Sequence, residues 1–240
     1  MTDDRPPSDR PSDLAVRRAI VRQVVSISLA VAPFGVAFGV VADDAGLTPA
    51  ETAGFSTLVF SGSAQFAAVT VLGEGGTVAA AVVAALLLNL RSVAFGIVMA
   101  PALRGPLWWR ALVSQLVIDE STAVGSAQGD PRWRRAGFLA AGIGIFVVWN
   151  LATLVGYLAL SGADDLIDRA GIDATIPAAF LALVWPRLLE RRQRLIAGLG
   201  AAIALLTTPL LPPGLPTILA ATAVVALRPW RGGRPAFGSG

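Results

Sequence analysis

Residues 52–73 read TAGFSTLVFSGSAQFAAVTVLG. No side chain in this stretch is charged, yet its middle is polar: Thr57, Ser61, Ser63 and Gln65 stand among Leu58, Val59, Phe60 and Phe66. A bilayer core about 30 Å thick asks for roughly 20 apolar residues per helix, and this run is long enough. Residues 23–42, 136–163 and 195–227 are equally free of charge, and 75–103 contain only Arg91. So many long runs do not fit as the core of one soluble domain. The chain reads as an all-α, polytopic helical membrane protein.

Composition agrees. Of 240 residues 55% are hydrophobic and 15% charged, and the mean hydropathy is +0.68; soluble domains carry about 25% charged residues. The net charge of +3 gives little reason to expect a nucleic-acid partner. All basic residues are arginine, and lysine, histidine and cysteine are absent. That removes disulfides, thiolate metal sites and the commonest general base. A serine protease lacks its His or Lys base, an aspartyl protease lacks a second intramembrane Asp, and there is no P-loop. No enzyme and no cofactor are expected. Secondary transport of a small molecule remains.

About eight membrane segments are expected: 20–42 (interrupted by Pro33, Gly35 and Gly39), 52–72, 77–100, 107–127, 136–160, 174–186, and a hairpin of two short helices within 195–227, cut by Pro209, Pro212, Pro213 and Pro216. Residues 1–19 are expected to be a disordered tail, 20–230 the transmembrane domain and 231–240 a second disordered tail. Arginines cluster before residue 23, in 128–136, in 187–194 and near the C-terminus, so the positive-inside rule puts both termini in the cytoplasm. With eight full crossings Arg104 and Arg110 fall outside; if segments two and four are broken or re-entrant and six segments cross, every basic loop returns to the cytoplasm. Both topologies stay open at this level.

Polar groups inside spans are costly and mark candidate sites. Thr57, Ser61 and Gln65 form one stripe on a continuous helix; alternatively Gly62, between Ser61 and Ser63, breaks the helix and turns free N–H groups toward an anion. Close helix packing explains the same small residues. Asn89 and Arg91 lie deep in the third segment, where Arg91 either grips a carboxylate or pairs structurally with Asp119 or Glu120. Those two acids are the candidates for ion coupling. Asn150, with Thr153 and Tyr157, makes a polar face in the fifth segment. Gly35 and Gly39 read as a helix-packing pair.

These residues resemble the AzlC family, the large subunit of branched-chain amino acid exporters. The resemblance runs from Ala32-Pro-Phe-Gly-Val-Ala-Phe-Gly39 and Ala45-Gly-Leu-Thr48 through the Ser61–Phe66 core, Asn89-Leu-Arg91, Asp119-Glu120 and Trp149-Asn150 to Ile176-Pro-Ala-Ala-Phe-Leu181. It implies a multi-pass protein of the bacterial inner membrane exporting valine, leucine or isoleucine, with methionine as a further candidate. It also implies a small AzlD-like membrane subunit as partner. Ser92 and Phe95 stand where the family commonly has His and Tyr. The expected substrate-binding set is Ser61, Gly62, Ser63, Gln65, Asn89, Arg91 and Asn150, with Asp119 and Glu120 coupling export to a proton gradient, and Phe60, Phe66, Phe95 and Val69 supplying the apolar pocket. The rival readings are a non-transporting scaffold subunit and a channel for small neutral solutes.

Overall fold

In chain order the described helices are α1 (Asp13–Asp44), α2 (Pro49–Leu58), α3 (Gly62–Gly73), α4 (Val78–Asn89), α5 (Arg91–Met99), α6 (Leu107–Ser114), α7 (Asp119–Ser126), α8 (Pro131–Leu160), α9 (Arg191–Thr207) and α10 (Leu215–Ala221). The structure is a computed structural model that describes residues 12–160, 181, 185, 188–211 and 215–223. No strand occurs among the described residues. The chain divides between Phe180 and Leu181 into two units. The expected segment 174–186 lies almost wholly outside the described residues.

At 32 and 30 residues, α1 and α8 are long and apolar enough to cross a bilayer. At 1.5 Å per residue they reach about 45–48 Å. Ser12 caps α1 by accepting from the Ala15 N–H, so residues 13–19, expected as tail, are helical. The expected interruption at Pro33 does not occur: α1 runs through it. Proline costs α1 one backbone hydrogen bond, and membrane helices tolerate that when neighbours hold the backbone in place. Here α8 does so. The two helices lie parallel: Arg132 pairs with Asp13 at 3.0 Å at their starts, and the Tyr157 hydroxyl donates to the Leu47 carbonyl at 2.8 Å at the far end. Between these points Gly35 and Gly39 pack directly on the backbone around Ala152 and Gly156. A methyl group at Gly39 would strike the Thr153 carbonyl, and one at Gly156 the Val36 carbonyl. The glycine pair is therefore a packing contact, as its spacing suggests.

The second and fourth expected segments are each two half-helices. α2 starts at the end of α1, capped by Thr48 and Glu51, and runs inward until Ser56 meets Thr153 on α8 at 3.4 Å. After a break at Val59–Ser61 the chain returns: α3 begins at Gly62, under the Trp149 indole, and ends with Gly73 against Ala45, back beside the end of α1. The α2–α3 pair is thus re-entrant and does not cross. α4 and α5 then run to the opposite end, bent by 42° at Leu90. α6 starts there, with Trp109 5.5 Å from Arg135, and climbs until Gln115 reaches Thr57 and Leu58. α7 turns back, bringing Gly125 against Met99 and Phe138.

The first unit therefore does not hold five full crossings, the share of the eight expected segments that falls before 174. It has α1 and α8, the bent α4–α5 pair and two re-entrant hairpins dipping from opposite ends. This answers the difficulty with Arg104, whose carbonyl accepts from Arg135 at 3.4 Å: its loop shares an end with the 128–136 loop and the start of α1. Broad apolar surfaces stay exposed on the long elements, among them Leu29, Leu86, Ile97, Leu151 and Leu158, as lipid-facing helices require. Within the second unit α9 and α10 pack on one another, in the manner of the expected hairpin.

Candidate functional site

All three interrupted segments break near mid-length, and the breaks meet. Arg91 opens α5, Asp119 opens α7 and Ser63 is the second residue of α3. The Arg91 guanidinium donates to Asp119 Oδ2 at 2.6 Å and to Ser63 Oγ at 2.9 Å. α4 places about 18 Å of helix before Arg91 and α5 about 14 Å after it, so this cluster lies near the middle of the bilayer thickness. The ion pair remains open on one side, with Arg91 and Asp119 side chains 42% and 38% exposed.

The α2–α3 break decides the local chemistry. Ser61 sits at the α3 N-cap in extended backbone (φ −159°, ψ 100°) and makes no side-chain capping bond. The first N–H groups of α3 are therefore left without that cap next to Arg91, at the positive end of the helix dipole. On the other side of the break, the last carbonyls of α2 are capped by two glutamines. Gln65 Nε2 donates to Ser56 O at 3.1 Å, and Gln115 Nε2 to Thr57 O and Leu58 O at 2.9 and 2.8 Å. Without such donors carbonyls at membrane depth would be severe liabilities. The α6–α7 turn is stitched by Ser121, which accepts from Ile118 N at 3.2 Å and donates to Leu116 O at 2.5 Å.

Trp149 roofs the break. A Cβ on Gly62 would lie 2.8 Å from its ring, so any side chain there would have to displace the indole. Its indole stacks on Phe38 with centroids 6.3 Å apart, and Phe60, Phe66 and Val69 join the same cluster. Phe95 belongs to a different cluster with Met99 and Phe138.

The expected residues thus separate into two groups. Ser61, Gly62, Ser63, Gln65, Arg91, Asp119 and Glu120 surround the breaks. Asn89 and Asn150 do not join them through any hydrogen bond: Asn89 Oδ1 accepts from the Ser92 hydroxyl at 2.8 Å, and Asn150 Nδ2 donates to the Phe146 carbonyl of its own helix at 2.8 Å. The continuous stripe Thr57, Ser61, Gln65 is replaced by the break, because Ser61 is extended and Thr57 bonds back to Ala53 O at 2.8 Å. Asp119 is occupied by Arg91, whereas Glu120 has no cationic partner within 4 Å among the described residues. Sequence reasoning missed Gln115. Its signal was an amide amid Leu112–Ile118, two residues before an apolar turn into the acidic pair.

The family model described as AzlC protein matches residues 26–162, which include every break and both partners of the ion pair. An uncharacterized membrane protein of Archaeoglobus fulgidus is 30% identical over 211 residues, covering 86% of this chain and 91% of the relative. The inner membrane protein YgaZ of Escherichia coli is 25% identical over 195 residues, 74% of this chain and 77% of its own. An uncharacterized membrane protein of Helicobacter pylori is 23% identical over 182 residues, 75% and 79% of the two chains. No solved structure matches.

Proposed function

The chain belongs to the AzlC family of membrane proteins, and from that premise we propose that it is a secondary transporter exporting branched-chain amino acids, as the large subunit of a permease completed by a small AzlD-like membrane subunit. The observation that carries this reading is the arrangement around Arg91. An amino acid presents a carboxylate, an ammonium and an apolar side chain, and each has a fitting counterpart. The carboxylate suits Arg91, Ser63 and the uncapped start of α3, with the guanidinium fork already aimed at a carboxylate in Asp119. The ammonium suits Glu120, an acid without an ion-pair partner. The aliphatic side chain suits the cluster of Phe60, Phe66, Val69 and Trp149.

This layout also suggests how export is coupled. A substrate carboxylate competes with Asp119 for the same guanidinium nitrogens. When it wins, Asp119 loses its counter-charge, and that carboxylate is where a proton would couple to the cycle. A scaffold subunit spends its polar groups on holding helices together, and Glu120 is not spent in that way.

The test is efflux. Cells expressing the chain with its small partner, loaded with a valine-containing dipeptide, are expected to release valine faster than cells without it. Arg91→Ala and Gln65→Ala are expected to abolish the gain while still inserting. Unchanged efflux with both subunits in the membrane would overturn the exporter reading.

A further inference from the structure

Val36–Val41 reads Val-Ala-Phe-Gly-Val-Val, and Val93–Val98 reads Val-Ala-Phe-Gly-Ile-Val. The same displacement recurs in the architecture. Pro49 opens α2 and Pro106 caps α6; Gly62 opens α3 and Asp119 opens α7. Leu58 and Gln115 are also 57 residues apart, and they touch, Gln115 Nε2 donating to the Leu58 carbonyl at 2.8 Å. Equivalent positions of two copies meet only near the axis that relates the copies.

The packing repeats too, but upside down. α1 leads from the arginine-rich end to the opposite end, and the hairpin that follows dips from there. The α4–α5 pair leads back, and its hairpin dips from the arginine-rich end. α3 packs on α1 before it and α4 after it; α7 packs on α5 before it and α8 after it. Inverted repeats of this kind place a transporter's binding site at their interface, near the bilayer midplane.

We infer that residues 13–73 and 78–126 are two copies of one helix-plus-hairpin unit inserted in opposite senses, and that Thr122 is a substrate contact equivalent to Gln65. The nature of the ligand rests on the exporter reading above; the repeat does not. Gln65 and Thr122 are each the fourth residue of their half-helix. Both are buried, 0% and 6% exposed. Each keeps a buried oxygen without a hydrogen-bond partner, Gln65 Oε1 and Thr122 Oγ1. Thr122 follows Asp119 by three positions, hence on the helix face that meets Arg91. Each oxygen lacks a donor, and a ligand ammonium is such a donor.

Two measurements test this. Single cysteines at Ala50, Glu74, Arg104 and Ala127, in a chain with no native cysteine, are labelled with a membrane-impermeant maleimide in right-side-out and inverted vesicles. Positions 50 and 74 are expected to react from one side, and 104 and 127 from the other. Reaction of 50 and 74 from opposite sides would mean a crossing hairpin and would overturn the repeat. Separately, L-leucine-dependent thermal stabilisation of the purified complex is titrated. Thr122→Val is expected to melt like the parent, since the hydroxyl holds nothing, yet to need at least tenfold more L-leucine; Thr122→Ser is expected to retain parental affinity. Parental affinity in Thr122→Val overturns the Thr122 assignment. If the parent itself ignores L-leucine while labelling comes out as expected, the exporter reading and the Thr122 contact fall together and the repeat stands.

Discussion

A guanidinium midway along a bent membrane-spanning pair has to find its counter-charge on neighbouring elements, and Arg91 reaches two of them. One nitrogen goes to Asp119 on α7 and another to Ser63 on α3. A lysine keeps the charge but not the fork, and its compact ammonium cannot reproduce both bonds in that geometry. Losing one charge-assisted hydrogen bond costs about 1.5–3 kcal/mol. Arg91→Lys is therefore expected to lower valine efflux by roughly tenfold or more, with the amount of inserted protein unchanged; dipeptide-loaded efflux beside membrane immunoblotting checks both. Arg91, Asp119 and the Ser61–Gln65 core were legible in the sequence because polar atoms in an apolar run advertise their cost. That Arg91 takes Asp119 rather than Glu120 was not, since adjacent helix residues point about 100° apart and only the docking of α7 selects one.

At the scale of the element, α2 is a ten-residue helix held at both ends. At its inner end Gln115 covers the Thr57 and Leu58 carbonyls. Gln115→Leu leaves both bare, and a carbonyl left unbonded away from water costs about 1–3 kcal/mol. The melting temperature in detergent is expected to fall by several degrees, and Gln115→Glu should not restore it while ionised, because a carboxylate has no N–H to give. At its outer end the Thr48 N–H and hydroxyl donate to the exposed Glu51 carboxylate at 2.8 and 2.7 Å. The backbone bond first and the hydroxyl second hold the Glu51 pKa below its ordinary value of 4.5. A lowered folded-state value means that this stabilisation is complete above the ordinary carboxylate range and is lost as pH falls through the lowered value. Acid melting curves of Glu51→Gln are expected to be flatter than the parent's in that window and to converge with them below it.

For the whole molecule, one end of the first unit gathers Arg104, Arg110, Arg132 and Arg135, and the other Asp43, Asp44, Glu51 and Glu74. Arg135 also lies over the Trp109 ring, and Arg132 over Trp133, as expected of side chains at a membrane interface. The positive-inside rule predicts that the arginine-rich end faces the cytoplasm. In intact cells an impermeant maleimide is expected to reach Glu74→Cys and to miss Arg104→Cys. The reverse pattern would invert the assignment.

The sequence by itself determined that the chain is helical and membrane-embedded, that Gly35 and Gly39 pack a helix, and that the Ser61–Gln65, Arg91 and Asp119 neighbourhoods set costly polar groups inside apolar segments. Those are statements about hydropathy, residue size and the cost of buried charge, which are local. Only the tertiary structure decided that segments two and four turn back at mid-depth, that α1 passes through Pro33 unbroken, that Asn89 accepts from Ser92 across the Leu90 bend, and that Asn150 bonds its own helix. A half-helix and a full span read alike along the chain. What separates them is whether distant groups, here the amides of Gln65 and Gln115, arrive to satisfy the backbone that a break lays bare.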